Sequence, residues 1–267
     1  MEKRLKTLDT LRGFTIISMI LYHFCWDLKY IKGFDMEWYV SEGVYFWQQS
    51  ICWSFILLAG FCMHFARSPL RNGAVVFLFG VIVTCVTEIF LPEAPIHFGV
   101  LTLLGSSMLL MGAYLKIYDR INSLTHAQSR DHKYKPDKNV STFGFLITAF
   151  LFALTKGINF GVLKLAFINI KLPESLYQNG GADGMGHSYL TYLGFMQNGF
   201  YSSDYFSLMP WFFLFIAGYF LYGVLRTRFK SKVFHIDIKP LSWLGRHSLI
   251  IYLLHQPVLY GITILLP

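Results

Sequence analysis

Apolar residues fall into seven long blocks, at about 10–31, 44–66, 73–91, 98–117, 141–163, 206–225 and 243–266. Each approaches the ~20 residues a helix needs to cross the hydrocarbon of a bilayer. The connections RSPLRN (67–72) and PEAPIH (92–97) are short and carry the Pro and Asn that break helices. The pattern therefore predicts an all-α, polytopic membrane bundle of about seven transmembrane helices, forming one domain over residues 1–267. Two polar inserts interrupt it. YDRINSLTHAQSRDHKYKPDKNV (118–140) reads as a solvated cytoplasmic loop, and 164–205, with NGGADGMGH (179–187) at its centre, is too polar to span. The latter is expected outside, free to fold over the outer mouth of the bundle. No repeat of solenoid period is present.

Composition agrees with the pattern. The chain is 54% hydrophobic and only 14% charged, against roughly 25% charged in soluble domains. A net charge of +8 is of the sign that suits nucleic acid, but the basic residues are scattered between apolar runs and form no stripe. They read better as topology. With the N-terminus inside, all of the 23 Lys and Arg except Lys29, Lys32, Lys156, Lys164 and Lys171 fall on one side, which the positive-inside rule assigns to the cytoplasm. The expectation is a multi-pass protein, N-in and C-out. The first apolar run is too long for the core of a cleaved signal and no small-residue cleavage site follows it. Cys25, Cys52, Cys62 and Cys85 lie within apolar stretches without CxxC spacing, so neither a disulfide framework nor a metal site is expected.

Ionisable groups inside spans are costly and usually face a partner, a cavity or a pathway. Arg12, Ile16, Met19, His23 and Asp27 advance by three or four residues and share one stripe of the first helix. Eleven residues separate Arg12 from His23, roughly 16 Å along the axis. His23 and Asp27 stand at i and i+4, a spacing at which a carboxylate can orient an imidazole as a general base. The blander alternative is a histidine bonded to a neighbouring helix, with the aspartate solvated at the interface. In the last block Ser248, Tyr252 and His255 recur on one face, and Arg246 marks the cytoplasmic entry. Glu88, His97 and Asp204 lie at the outer ends of their spans, and on this topology all could surround one outward-facing cavity. His64, His126, His132, His235 and His247 are read as solvated or interfacial. The aromatic run VYFWQQSICWSF (44–55) suits an interface belt, and Gly60, Gly80, Gly105, Gly112 and Gly218 suit close helix packing.

These residues carry a resemblance. LDTLRG (8–13) followed by His23 is similar to the N-terminal signature of the transmembrane acyltransferases, the superfamily that includes acyltransferase family 3. FILLAGF (55–61), IHFGVLTLLGSSMLL (96–110), SSDYFSLMPWFFLFIAGYFL (202–221) and LGRHSLIIYLLHQP (244–257) resemble its compact bacterial branch, related to the heparan-α-glucosaminide N-acetyltransferase catalytic domain. The resemblance implies acyl transfer from a cytoplasmic acyl-CoA, most often acetyl-CoA, to a sugar-like hydroxyl or amine presented across a bacterial cytoplasmic membrane. His23 takes the place of the essential histidine and Arg12 that of the motif arginine. The chain is much shorter than the animal enzyme and lacks its large luminal domain, so the acceptor stays open.

The residues supply a matching chemistry. A basic rim of Arg12, Arg67, Arg71 and Arg246, with Ser248, can hold the phosphates of coenzyme A by charge-assisted hydrogen bonds. His23, oriented by Asp27, can deprotonate the acceptor for direct attack on the thioester, or can itself carry the acyl group. Tyr252, Ser248 or His255 can donate to the oxyanion, and Glu88, His97, Asp204, Tyr252 and His255 are the candidate acceptor-binding residues. A homodimer is compatible with this reading. Two other classes are open: a proton-coupled small-solute transporter using the same His and Asp groups as a relay, and an assembly subunit whose polar groups only join helices.

Overall fold

The computed structural model describes residues 5–125, 137–165, 168–178 and 188–266. Nine α-helices are seen there: α1 (Lys6–Tyr30), α2 (Glu42–Cys62), α3 (Pro69–Phe90), α4 (Val100–Thr125), α5 (Lys138–Thr155), α6 (Ser188–Leu193), α7 (Leu208–Leu225), α8 (Lys239–Arg246) and α9 (Ser248–Leu265). One antiparallel hairpin joins β1 (Val162–Leu165) to β2 (Ile168–Lys171), with Val162 opposite Lys171. The fold is an all-α polytopic bundle.

Six of these helical segments are long and apolar enough to cross a membrane, those built on α2, α3, α4, α5, α7 and α9. Large side chains such as Ile89, Phe90, Phe143 and Leu254 stand more than half exposed, a surface that suits lipid and not water. Helix α1 stands apart from the six. At 25 residues it is about 37 Å long, but it carries Asp9, Arg12, Asp27 and Lys29.

Several hydroxyls inside the helices are satisfied locally. Thr15, Ser141, Thr142, Thr148 and Thr155 each donate to the carbonyl four residues back, at 2.6–2.9 Å. This back-bonding lets polar side chains enter an apolar environment without leaving a donor unmade.

Two expectations are corrected. The loop 118–140 is helical up to Thr125 and again from Lys138, because Ile117 and Ile121 continue the helical period of α4 and the Asp137 side chain caps the first N–H of α5 at 2.6 Å. His126 and His132, within 126–136, lie outside the described residues. The final block is two helices and not one: His247, with φ −100° and ψ 19°, ends α8 and starts α9. The outer segment 164–205 includes most of the β-hairpin and α6; NGGADGMGH (179–187) lies outside the described residues.

The chain divides into two compact units, one made of residues up to Leu58 with those from Leu225 on, the other of Ala59–Val224. In the first unit, α1 runs parallel to α9 and packs closely against α8. Thr10 meets Ser242 (2.8 Å), the ring of His23 meets that of His255, and the Lys32 ammonium donates to the Leu266 carbonyl. The approach at the α1 N-terminal half is at backbone contact: a Cβ on Gly13 would lie 1.9 Å from the Leu241 oxygen, and one on Gly245 1.9 Å from the Asp9 oxygen. In the second unit Gly60, Gly80 and Gly105 likewise admit a neighbouring backbone, with built Cβ positions 1.8–2.7 Å from Phe215, Thr102 and Phe77 atoms.

Candidate functional site

The polar stripe of α1 meets its counterpart on α9 within the first unit. The His23 and His255 rings lie 5.0 Å apart, centroid to centroid, tilted by 58°. The Nδ1–H of His255 donates to the Tyr252 carbonyl in the turn before it. A carbonyl only accepts, so this bond fixes the tautomer and leaves Nε2 with its lone pair. One turn beyond His23, Asp27 is fully buried and its Oδ1 accepts from Gln256 Nε2 at 3.1 Å. Pro257 follows at once; it has no N–H, so the helix ladder is already interrupted beside this group.

The expected pairing of Asp27 with His23 is not what the geometry gives. Both residues occupy the same face, as their spacing requires, yet the carboxylate takes the amide of the opposite helix and the imidazole faces the other imidazole. Cross-helix partners win because they satisfy buried polar groups on both elements at once. Gln256 is not among the candidate residues of the sequence analysis. The signal was there: an uncharged amide between His255 and Pro257 in an apolar run is as costly to bury as many ionisable groups.

Ser248 opens α9, and Tyr252 lies one turn on, its ring 5.3 Å from that of His255. Arg12 is part-buried on α1 and Arg246 exposed at the end of α8. Arg246 borders a network at that end of the unit: Ser242 donates to Asp237 Oδ1 (2.7 Å), Lys6 to Asp237 Oδ2 (2.8 Å), and Thr7 and Thr10 bind the 236–238 backbone. The Lys6 and Ser242 bonds, aided by the Arg246 charge, hold the Asp237 carboxyl below its ordinary range.

The second unit holds the remaining candidates. Arg67 and Arg71 are exposed between α2 and the start of α3. Glu88, His97 and Asp204 come together where α3 ends, α4 begins and the chain enters α7. His97 Nδ1 lies 3.6 Å from Glu88 Oε1. The Ser202 hydroxyl accepts from the His97 N–H and sits 3.0 Å from its carbonyl oxygen, while the Phe206 N–H donates to the Phe98 carbonyl. Asp204 accepts from the Val100 N–H at the head of α4; burial pushes its carboxyl up to about 6, although that hydrogen bond pulls the other way. Each of the three therefore has a partner that braces the loops. His64, expected to be solvated or interfacial, is stacked between Tyr219 and Tyr222 at 4.1 and 3.9 Å. Among the described residues no group of three or more His, Cys, Asp or Glu is placed to hold a metal ion.

No significant match was found among curated proteins or among solved structures. Residues 4–128 and 142–257 match the family described as heparan-alpha-glucosaminide N-acetyltransferase, catalytic. Those stretches contain every candidate site residue; residues 1–3, 129–141 and 258–267 fall outside them. The family is one of membrane-bound acetyltransferases whose general donor is acetyl-CoA. By this match over most of its length, the chain belongs to the heparan-α-glucosaminide N-acetyltransferase catalytic family.

Proposed function

We propose that the protein moves an acetyl group from cytoplasmic acetyl-CoA to a hydroxyl or amine of a small sugar-like acceptor on the extracytoplasmic side of a bacterial cytoplasmic membrane, with His23 as the general base. The observation that carries the reading is the meeting of two imidazoles, His23 and His255, beside a fully buried Asp27. Such a concentration of proton-accepting groups on two helices is costly in lipid unless chemistry uses it.

In the proposed step, His23 takes the proton of the acceptor as its oxygen or nitrogen attacks the thioester carbon. A tetrahedral oxyanion forms; its collapse breaks the C–S bond, and the departing thiolate recovers the proton from the imidazolium. Direct transfer needs both substrates bound at once, whereas an acyl-His23 intermediate would let them bind in turn. Arg12 and Arg246, at the end of the unit assigned to the cytoplasm by its charge, suit the phosphates of coenzyme A.

The test is acetyl transfer by the purified protein in detergent, from labelled acetyl-CoA to a panel of amino sugars and sugar alcohols. His23→Ala should lower the rate at least 100-fold, the usual scale of a lost general base, without loss of the folded protein. Transfer that survives the substitution refutes the assignment of His23.

A further inference from the structure

Three buried atoms in the α1–α9 cluster have no hydrogen-bond partner among the described residues: Asp27 Oδ2, Gln256 Oε1 and His255 Nε2. All three are acceptors. Asp27 Oδ2 belongs to a carboxyl whose other oxygen already takes the Gln256 amide. That bond also fixes which end of the Gln256 amide is oxygen, because only its NH2 can donate to a carboxylate. His255 has its only N–H committed to the Tyr252 carbonyl. Native proteins rarely leave buried acceptors unmade, and a cluster of them asks for a ligand that brings donors.

His255 Nε2 lies at the level of His23, whose ring faces its own, and belongs to the end of the cluster that serves the nucleophile. That leaves the carboxyl and amide oxygens one helical turn away. Side chains at i and i+4 have Cβ atoms about 5–6 Å apart, a span that matches two heteroatoms on adjacent carbons, each reaching its own acceptor by a hydrogen bond of about 3 Å. Resting on the acyltransferase reading above, we propose that Asp27 and Gln256 form a subsite for a second donor group of the acceptor, a hydroxyl or ammonium vicinal to the group that is acetylated. A hydroxyl fills one of the two oxygens, an ammonium both. Gln256 thus determines specificity: it holds the Asp27 carboxyl in place and presents its own oxygen beside it.

Two matched pairs of acceptors test this with wild-type protein and acetyl-CoA: cyclohexanol against cyclohexane-1,2-diol, and cyclohexylamine against 2-aminocyclohexanol. In each pair the nucleophile is unchanged and only the neighbouring donor differs. The difunctional member should be preferred about tenfold or more in kcat/KM, the scale of one well-made hydrogen bond to a charged group. Preference within either pair identifies a hydroxyl subsite, while acetylation of the amino alcohol at oxygen, faster than that of the diol, identifies an ammonium subsite. Gln256→Met keeps the volume, removes both the oxygen and the support of Asp27, and should reduce the ratio toward one. Gln256→Glu keeps an oxygen at the same reach and should retain more of the ratio than Gln256→Met. Equal rates within both pairs for the wild type overturn the subsite while leaving the acyltransferase standing. No transfer to any of the four overturns both.

Discussion

Gly13→Ala is the sharpest test of how the motif LDTLRG works. The added methyl would sit 1.9 Å from the Leu241 oxygen, 2.6 Å from its carbon and 2.9 Å from its Cα, where ordinary contact begins near 3.4 Å. These atoms are backbone, so no side chain can swing aside; α8 must retreat by roughly 1 Å or more. Overpacking of this kind costs about 1–3 kcal/mol. The retreat also stretches the Thr10–Ser242 contact of 2.8 Å, a loss of about 1 kcal/mol. A net destabilisation of roughly 2–4 kcal/mol should lower the midpoint of thermal unfolding in detergent by about 5–12 °C. Gly261→Ala is the control, since nothing lies within 4 Å of a Cβ built there; both changes add a methyl within a helix, so propensity cancels in the comparison. Gly245→Ala should behave like Gly13→Ala, and the double variant should lose less than the sum, because one retreat of α8 relieves both clashes. If Gly13→Ala melts within 2 °C of Gly261→Ala, the backbone contact does not hold α1 against α8.

Two further outcomes concern the second unit. Asp204 titrates near 6 when folded, against an ordinary 3.8. The folded state favours its protonated form, so the stability it contributes is complete below pH ~3.8 and lost as pH rises through ~6, with an upper bound of roughly 3 kcal/mol. Wild-type protein should therefore melt at a lower temperature at pH 7.5 than at pH 5.5, and Asp204→Asn should flatten that difference; an unchanged pH dependence refutes it. Glu88→Gln breaks a pair whose side chains are 50% and 30% exposed, so it should cost under about 1 kcal/mol. A clear rise in KM for the acceptor with little change in melting would give Glu88 a binding role beyond bracing, whereas a drop of several degrees would show the pair to be structural.

Most of the helical architecture was legible because lipid imposes a length and an apolarity that single sequences display directly. Gly60, Gly80 and Gly105 were legible for a related reason: small residues in long apolar runs have few other uses. What escaped was whatever depends on pairing between elements. Nothing local reveals that Gly13 meets Leu241, that Asp27 prefers Gln256 to His23, or that His64 enters a stack with Tyr219 and Tyr222. The break at His247 escaped too, since the sequence across it is as helical as that on either side. Charge patterning named the candidate residues, and only the cross-helix contacts sorted those facing one another from those bracing loops.

The exception of α1 from the apolar helices follows from the same contacts. A helix bearing Asp9, Arg12, His23 and Asp27 is costly in hydrocarbon by itself, and the remedy is to face those groups toward partners of matching polarity. Here α8 supplies Ser242 to Thr10, and α9 supplies His255 to His23 and Gln256 to Asp27. The opposite side of α1 can then be apolar, and Phe14 and Leu21 are indeed more than half exposed. The motifs LDTLRG and LGRHSLIIYLLHQP thus form the two sides of one interface, in which glycines set the distance and polar residues set the chemistry. A substitution that widens the glycine contact should consequently impair acetyl transfer as well as stability, because α8 leads directly into α9, which carries His255 and Gln256 to their partners on α1.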